Sequence, residues 1–242
     1  VLLVLPWPVI FLFLACYGVL MIFLLQVYLS ESLPARQSLH PLSIARNYMQ
    51  LIVDPSYLSV TLASAAVYSG LLAYLSSASF VYIEMLGVPV QYFGFIFLST
   101  VAGYVGGSGV SARMASRYDS QQTMLLGALL CLLTTIIMWT GATLLTNNIW
   151  ILMLPMTIYA VGMGLVLPHA MAIALAPFPH IAGTASALLG FIQMGLSAIG
   201  TAAVGAMLKD SPQPMLAAMF VINLAAVILS LKAYRQYRSQ LT

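Results

Sequence analysis

The sequence predicts an all-α integral membrane protein with seven transmembrane helices. Three observations carry this. Of 242 residues, 62% are hydrophobic and only 5% are charged, whereas a soluble domain carries about 25% charged residues. The apolar residues gather in long runs, each near the roughly 17–25 residues that cross a bilayer as a helix. The breaks between runs are polar and, with one exception, short. The mean hydropathy of +1.02 agrees with this class.

Span one covers 9–29, with Trp7 as an interfacial aromatic and Pro8 suited to a helix start. A polar stretch follows over 30–55, holding Glu31, Arg36, His40, Arg46 and Asp54. Within it, 43–52 reads as a short surface helix. Span two runs from Tyr57 to about Tyr82 and ends at Glu84 and Gly87–Pro89. Span three covers 92–112, and the polar link Arg113–Gln122 leads into span four, 123–145. Thr146–Asn148 turns the chain. Spans five and six, 149–176 and 182–208, are joined by a turn that Pro177 and Pro179 force, since neither suits a helix interior. The polar run 209–214 leads into span seven, 215–231, and a basic tail.

The basic residues set an orientation. With alternating spans, Arg36, Arg46, Arg113, Arg117, Lys232, Arg235 and Arg238 fall on one side, and only Lys209 falls on the other. The positive-inside rule makes the rich side cytoplasmic and puts the C-terminus there. The net charge of +3 is thus a topology signal and implies no nucleic-acid partner. The partners expected are the lipid bilayer and a small-molecule substrate. Val1 is not Met, and 1–5 is already apolar. The chain therefore reads as a piece of a longer protein, whose missing N-terminal half is a further partner. Six spans with short links form one bundle, preceded by an extra span. That organisation divides the chain into 1–29 (the last helix of a preceding half), 30–56 (a central cytoplasmic linker) and 57–242 (a six-helix half with its tail). Span count alone allows an inverted three-plus-three repeat in that half.

The stretch 149–208 organises the rest: two uncharged spans, rich in small residues, built to pack closely and line something. Gly103 and Gly107 in span three, with Ser99, and Gly183 and Gly190 in span six read as helix-packing or rocking positions. Polar and aromatic residues inside spans are candidates for a substrate pocket: Tyr68, Tyr74, Ser79, Tyr159, His169, Gln193 and Asn223. Each either lines the pocket or bonds between helices, and the sequence leaves both open. His169 also suits a proton relay. No Asp, Glu, Lys or Arg lies inside a span, so any carboxylate for proton coupling lies outside this chain. Cys16 and Cys131 read as small apolar packing residues, and no metal or nucleophile motif stands out. An enzyme is not expected. The alternative class is a seven-helix receptor or opsin, which Ser116–Tyr118 ("SRY") mimics. Span seven, however, lacks both a central Lys and an Asn-Pro break.

Four stretches carry a family resemblance: "ESLPARQ" (31–37), "SGLLAYLSSASFVYIEMLGV" (69–88), "ARMASRYDSQQ" (112–122) and "APFPHIAGTASALLGFIQMG" (176–195). Together they resemble helices 6–12 of a twelve-helix transporter of the major facilitator superfamily, in its Bcr/CflA subfamily of bacterial drug:proton antiporters. The last stretch is the most specific. The resemblance implies multidrug or small-solute efflux by alternating access, no cofactor, and the proton as coupling ion. It also implies a bacterial inner (cytoplasmic) membrane and a coupling acid in a first helix not present here. In the cytoplasmic loop Arg113 and Arg117 match the superfamily pattern. Ala112, Ser116, Ser120 and Gln121 stand where that pattern has a Gly, an acid and a basic pair.

Overall fold

The computed structural model describes residues 8–29, 40–144, 148–207 and 211–239. Trp7, Glu31, Arg36, Lys209 and most of the 146–148 turn lie outside the described residues. The chain divides into two compact units, Val1–Ser38 and Leu39–Thr242. In the first, α1 (Pro8–Tyr28) is an uncharged helix of 21 residues. At about 1.5 Å per residue it is long enough to span the hydrocarbon core.

The second unit opens with α2 (Pro41–Val53), the expected short helix, amphipathic and anchored by the fully buried Leu51. Asp54 both ends α2 and starts α3 (Pro55–Ser79). Its carboxylate accepts from the Tyr57 N–H at 2.7 Å, and Pro55 occupies the first helical position. A capping acid followed by Pro is a strong helix-start signal. At its far end α3 widens into a π-helical turn, Phe80–Met85. Gly87 then stops it at φ +67°, a left-handed conformation that favours glycine. The remaining helices are α4 (Val90–Met114), α5 (Ser120–Leu144), α6 (Trp150–Leu175), α7 (Ala182–Met207) and α8 (Gln213–Ser239). A short 3-10 turn, Pro179–Ile181, sits between α6 and α7, in the Pro-rich turn expected there. Among the described residues seven helices are long and apolar enough to cross a membrane: α1 and α3 to α8.

One boundary differs from expectation. The basic tail is not a separate segment, because α8 continues through Lys232, Arg235 and Arg238 to Ser239. Lys, Arg, Ala and Gln are good helix formers, and cations suit a helix C-terminus. The Arg238 guanidinium also lies 5.9 Å from the Tyr234 ring centre.

The packing of the six helices has an internal symmetry. α3 packs on α7 and α8, α6 packs on α4 and α5, α5 meets α8, and α3 meets α6. Exchanging α3 with α6, α4 with α7 and α5 with α8 maps this pattern onto itself. The exchanged helices run in opposite directions, so the bundle is an inverted three-plus-three repeat.

The two equivalent seams are built differently. Along α4, Ser99, Gly103, Gly107 and Ser111 recur every four residues, and Gly103, Gly107 and Ser111 are buried. A Cβ added to Gly103 would strike the Thr157 carbonyl oxygen, and one at Gly107 would lie 2.7 Å from Val161 Cα. From the other side, a Cβ at Gly164 would lie 2.6 Å from the Ser108 nitrogen. The Thr157 hydroxyl donates to Ser99 Oγ at 3.2 Å. α4 and α6 thus run parallel with their backbones in contact, as small residues at this spacing permit. Gly127 and Gly162 bring α5 equally close to the other side of α6. The α3–α7 seam is instead zipped by side chains. Tyr57 donates to the Ala185 carbonyl at 2.6 Å, Gln193 Nε2 donates to Ser64 Oγ at 3.2 Å, and the Ser69 and Ser197 hydroxyls lie 3.0 Å apart.

Gly183 and Gly190, also read as packing positions, make no close contact with the described residues of this bundle. A Cβ at either would meet nothing within 4 Å, because larger side chains at Ala185, Leu188, Leu189 and Ser197 turn toward the bundle instead.

The core is tied together by one polar network. The Tyr159 hydroxyl (α6) donates to the Val67 carbonyl (α3) at 2.7 Å and lies 3.1 Å from Asn223 Oδ1 (α8). Asn223 Nδ2 donates to Thr135 Oγ1 (α5) at 3.2 Å and to its own helix at the Met219 carbonyl, 2.8 Å. Thr135 donates to the Cys131 carbonyl at 2.8 Å. Tyr159, Thr135 and Asn223 are fully buried, and Gly70 is glycine because a Cβ there would meet the Tyr159 hydroxyl.

Two predictions follow from this packing. Gly107→Val forces α4 off α6 and should destabilise by about 1–3 kcal/mol, read as a lowered Tm of detergent-purified protein. Gly106→Ala, where nothing lies within 4 Å of the new Cβ, should leave Tm unchanged or slightly raised. Asn223→Ala should cost about 1–3 kcal/mol, the range for unpairing buried polar groups. In a double-mutant cycle with Tyr159→Phe the two losses should be non-additive by at least about 0.5 kcal/mol. Simple additivity would mean that the two side chains do not act as one network.

Candidate transport cleft

α4 runs parallel to α6 and lies beside α3 only near the π-helical turn. The three helices therefore enclose a cleft of about 370 Å³. α3 supplies Tyr68, Leu71 and Leu75, and α6 supplies Ala160, Met163 and Leu167. α4 supplies Phe97, Thr100, Val101 and Tyr104. The four α4 residues follow the i, i+3, i+4, i+7 pattern of one helix face, beside the glycine stripe that seats α4 on α6.

The lining is apolar and aromatic and carries no charged side chain. The Thr100 hydroxyl donates to the Ile96 carbonyl at 3.2 Å and keeps its lone pairs as acceptors. The Tyr68 and Tyr104 hydroxyls have no partner among the described residues. A mostly apolar cleft with a few unspent polar groups is the form of a small-molecule site. A second cleft, about 520 Å³, shares Tyr104 and Leu167 with the first and continues along α6 past Pro168 and Met171 to Leu175.

Of the residues singled out in the sequence as pocket candidates, Tyr68 lies on this wall. The other six lie elsewhere. Tyr159 and Asn223 belong to the interhelical network. Tyr74 is buried, and its hydroxyl donates to that of Tyr82 at 2.9 Å. Gln193 bonds Ser64 across the α3–α7 seam. Ser79 is exposed near the end of α3. His169 is 5% exposed, beside the Ser111 backbone, and its Nε2 has no hydrogen-bond partner among the described residues. A polar side chain in a span is drawn to a partner, and for Tyr159, Asn223 and Gln193 the partner is another helix.

Sequence reasoning missed Phe97, Thr100, Tyr104 and Met163. The four-residue-face periodicity of α4 could have found the first three. Arg113 and Arg117 are exposed at and beyond the end of α4. Among the described residues no three His, Cys, Asp or Glu side chains gather as a metal site.

Comparison with known proteins agrees with this architecture. The Major Facilitator Superfamily model matches residues 1–201. The chain is 29% identical over 192 residues to a bicyclomycin resistance protein homolog of Haemophilus influenzae, covering 79% of this chain and 47% of the relative. It is 30% identical over 218 residues to the MFS-type transporter YdgK of Bacillus subtilis, covering 89% and 54%. It is 27% identical over 164 residues to multidrug resistance protein D of Escherichia coli, covering 66% and 40%. The chain thus spans about half the length of the curated relatives it matches. Relatives named for bicyclomycin and multidrug resistance agree with the Bcr/CflA resemblance in the sequence. The chain is a multi-pass membrane protein and belongs to the Major Facilitator Superfamily.

Proposed function

We propose that this chain forms one half of a secondary transporter that exports small organic molecules by alternating access. The observation that carries the reading is the uncharged cleft between α3, α4 and α6, with the hydroxyls of Tyr68 and Tyr104, unpartnered among the described residues, on its wall. Such a wall accepts apolar and aromatic solutes through packing and orients them through one or two hydrogen bonds. In this reading the 57–242 half rocks against a preceding half of the same protein, with 30–56 as the linker and the substrate between them. The free faces of α7 around Gly183 and Gly190 would meet that other half. Gln193 would act at the α3–α7 seam rather than as a direct ligand.

Coupling is proposed to be proton antiport. The names of the drug-resistance relatives and the superfamily membership support export. Among the described residues the spans hold one carboxylate, Glu84, which is exposed at the very end of the α3 span, so a coupling acid inside the membrane would lie in the other half. The protein would sit in a bacterial cytoplasmic membrane, with Arg46, Arg113, Arg117 and the basic end of α8 on the cytoplasmic side. It would act as a transporter and not as an enzyme.

The test is dye or drug efflux from cells that lack their own exporters and express the full-length protein. Leu71→Trp, which fills the cleft, should slow efflux roughly tenfold at unchanged membrane abundance. Tyr104→Phe should cost only a few-fold, since it removes one hydroxyl. An uncoupler that collapses the proton gradient should stop export. Full efflux by Leu71→Trp would remove the cleft from the pathway, and export that persists with the uncoupler would remove proton coupling.

A further inference from the structure

Where α4 leaves its span, residues 110–118 form an open surface depression of about 380 Å³ that shares no lining residue with the transport cleft. Its walls are Arg113, Ser116, Arg117 and Tyr118, and Val110 and Met114 give it an apolar side. The chemistry of these walls is uneven. Ser116 commits its proton to the Arg113 carbonyl at 2.9 Å. The Arg117 and Tyr118 backbone N–H groups both donate to the Met114 carbonyl at 2.9 Å. The donors left over are the two guanidiniums and the Tyr118 hydroxyl.

Neither guanidinium forms an ion pair among the described residues, and Asp119, next to Tyr118, is not within pairing distance of either. Two like charges lining one depression repel. The arrangement is relieved by an anion that both can hold. The planar forks of Arg match a phosphate group, which they bind in bidentate fashion.

Position narrows the source of that phosphate. α4 is a spanning helix that ends at Met114, so the depression lies where the span meets the headgroup layer. Tyr118 is an aromatic typical of that layer. The Val110 and Met114 side gives a freely hydrated phosphate nothing, but it suits the glycerol and first acyl carbons of a lipid. Paired basic residues at a span end attract anionic lipid.

We propose that this depression binds the phosphate headgroup of an anionic phospholipid, held between Arg113 and Arg117. The assignment needs only that α4 spans the membrane and does not depend on what the transport cleft carries.

The experiment uses the detergent-purified protein, with native mass spectrometry and thermal melts in phosphatidylglycerol, phosphatidylcholine or inorganic phosphate. Phosphatidylglycerol should stay bound and raise Tm, and phosphatidylcholine should do neither. The double variant R113Q/R117Q should bind phosphatidylglycerol at least about tenfold more weakly, the scale of a lost bidentate contact. R235Q/R238Q, which removes equal charge from the end of α8, should bind as the parent does. R117K, which keeps the charge but loses the fork, should fall between. Should the double variant fail to fold, R117Q alone is read by the same criterion. Undiminished binding by the Arg variants overturns the proposal. So does equal weakening by the α8 variant, which would mean that only net charge matters. Equal stabilisation by inorganic phosphate would make this a free-anion site and overturn the lipid assignment.

Discussion

In hydrocarbon a polar group has no water to turn to, and apolar helices gain little by leaving lipid for one another. Cohesion in this bundle therefore rests on hydrogen bonds between helices and on backbones brought close enough for dispersion to add up. The Tyr159–Asn223–Thr135 network is where the first of these concentrates. One tyrosine hydroxyl and one amide tie α3, α5, α6 and α8 at a single level. Gly70 exists in its present form to leave room for that hydroxyl. A network whose members are all satisfied specifies one arrangement of the helices it joins, because any slip leaves a buried group unpaired.

The second source of cohesion is divided unequally between the two repeats. α4 is seated on α6 by glycines, backbone against backbone, and α7 is held to α3 by a tyrosine, a glutamine and two serines. A glycine seam needs little side chain, so the flanking face of α4 is free to present Phe97, Thr100 and Tyr104 to a cleft. In the equivalent place on α7, Gln193 is already engaged with Ser64. Quasi-equivalent seams are thus built from different chemistry. Arg113 and Arg117 stand at the far end of the same helix and line one depression, without an ion pair among the described residues.

Much of the fold was legible because the bilayer simplifies the code. Span number, the Pro-forced turn after α6 and the short helix α2 all follow from composition and local rules. The site was less legible. A Tyr, Asn or Gln within a span signals only that a partner is needed. Tyr159 and Asn223 found theirs in other helices, Gln193 found Ser64, and Tyr68 alone of that set stands on the cleft wall. Phe97 and Thr100 are ordinary residue types for a span, and only their spacing on one face of α4 marks them.

The sequence by itself determined the class of the molecule, its helices and the places where backbones can touch, because each depends on local composition and spacing. Only the tertiary structure decided which face of each helix meets which neighbour. Small residues at four-residue spacing occur in both α4 and α7, yet Gly103 and Gly107 are pressed against α6, and Gly183 and Gly190 meet nothing within 4 Å among the described residues. The reason is that close approach needs a complementary partner at the right rotation and depth. That rotation is set for all six helices together, by the buried hydrogen bonds that must be made at once.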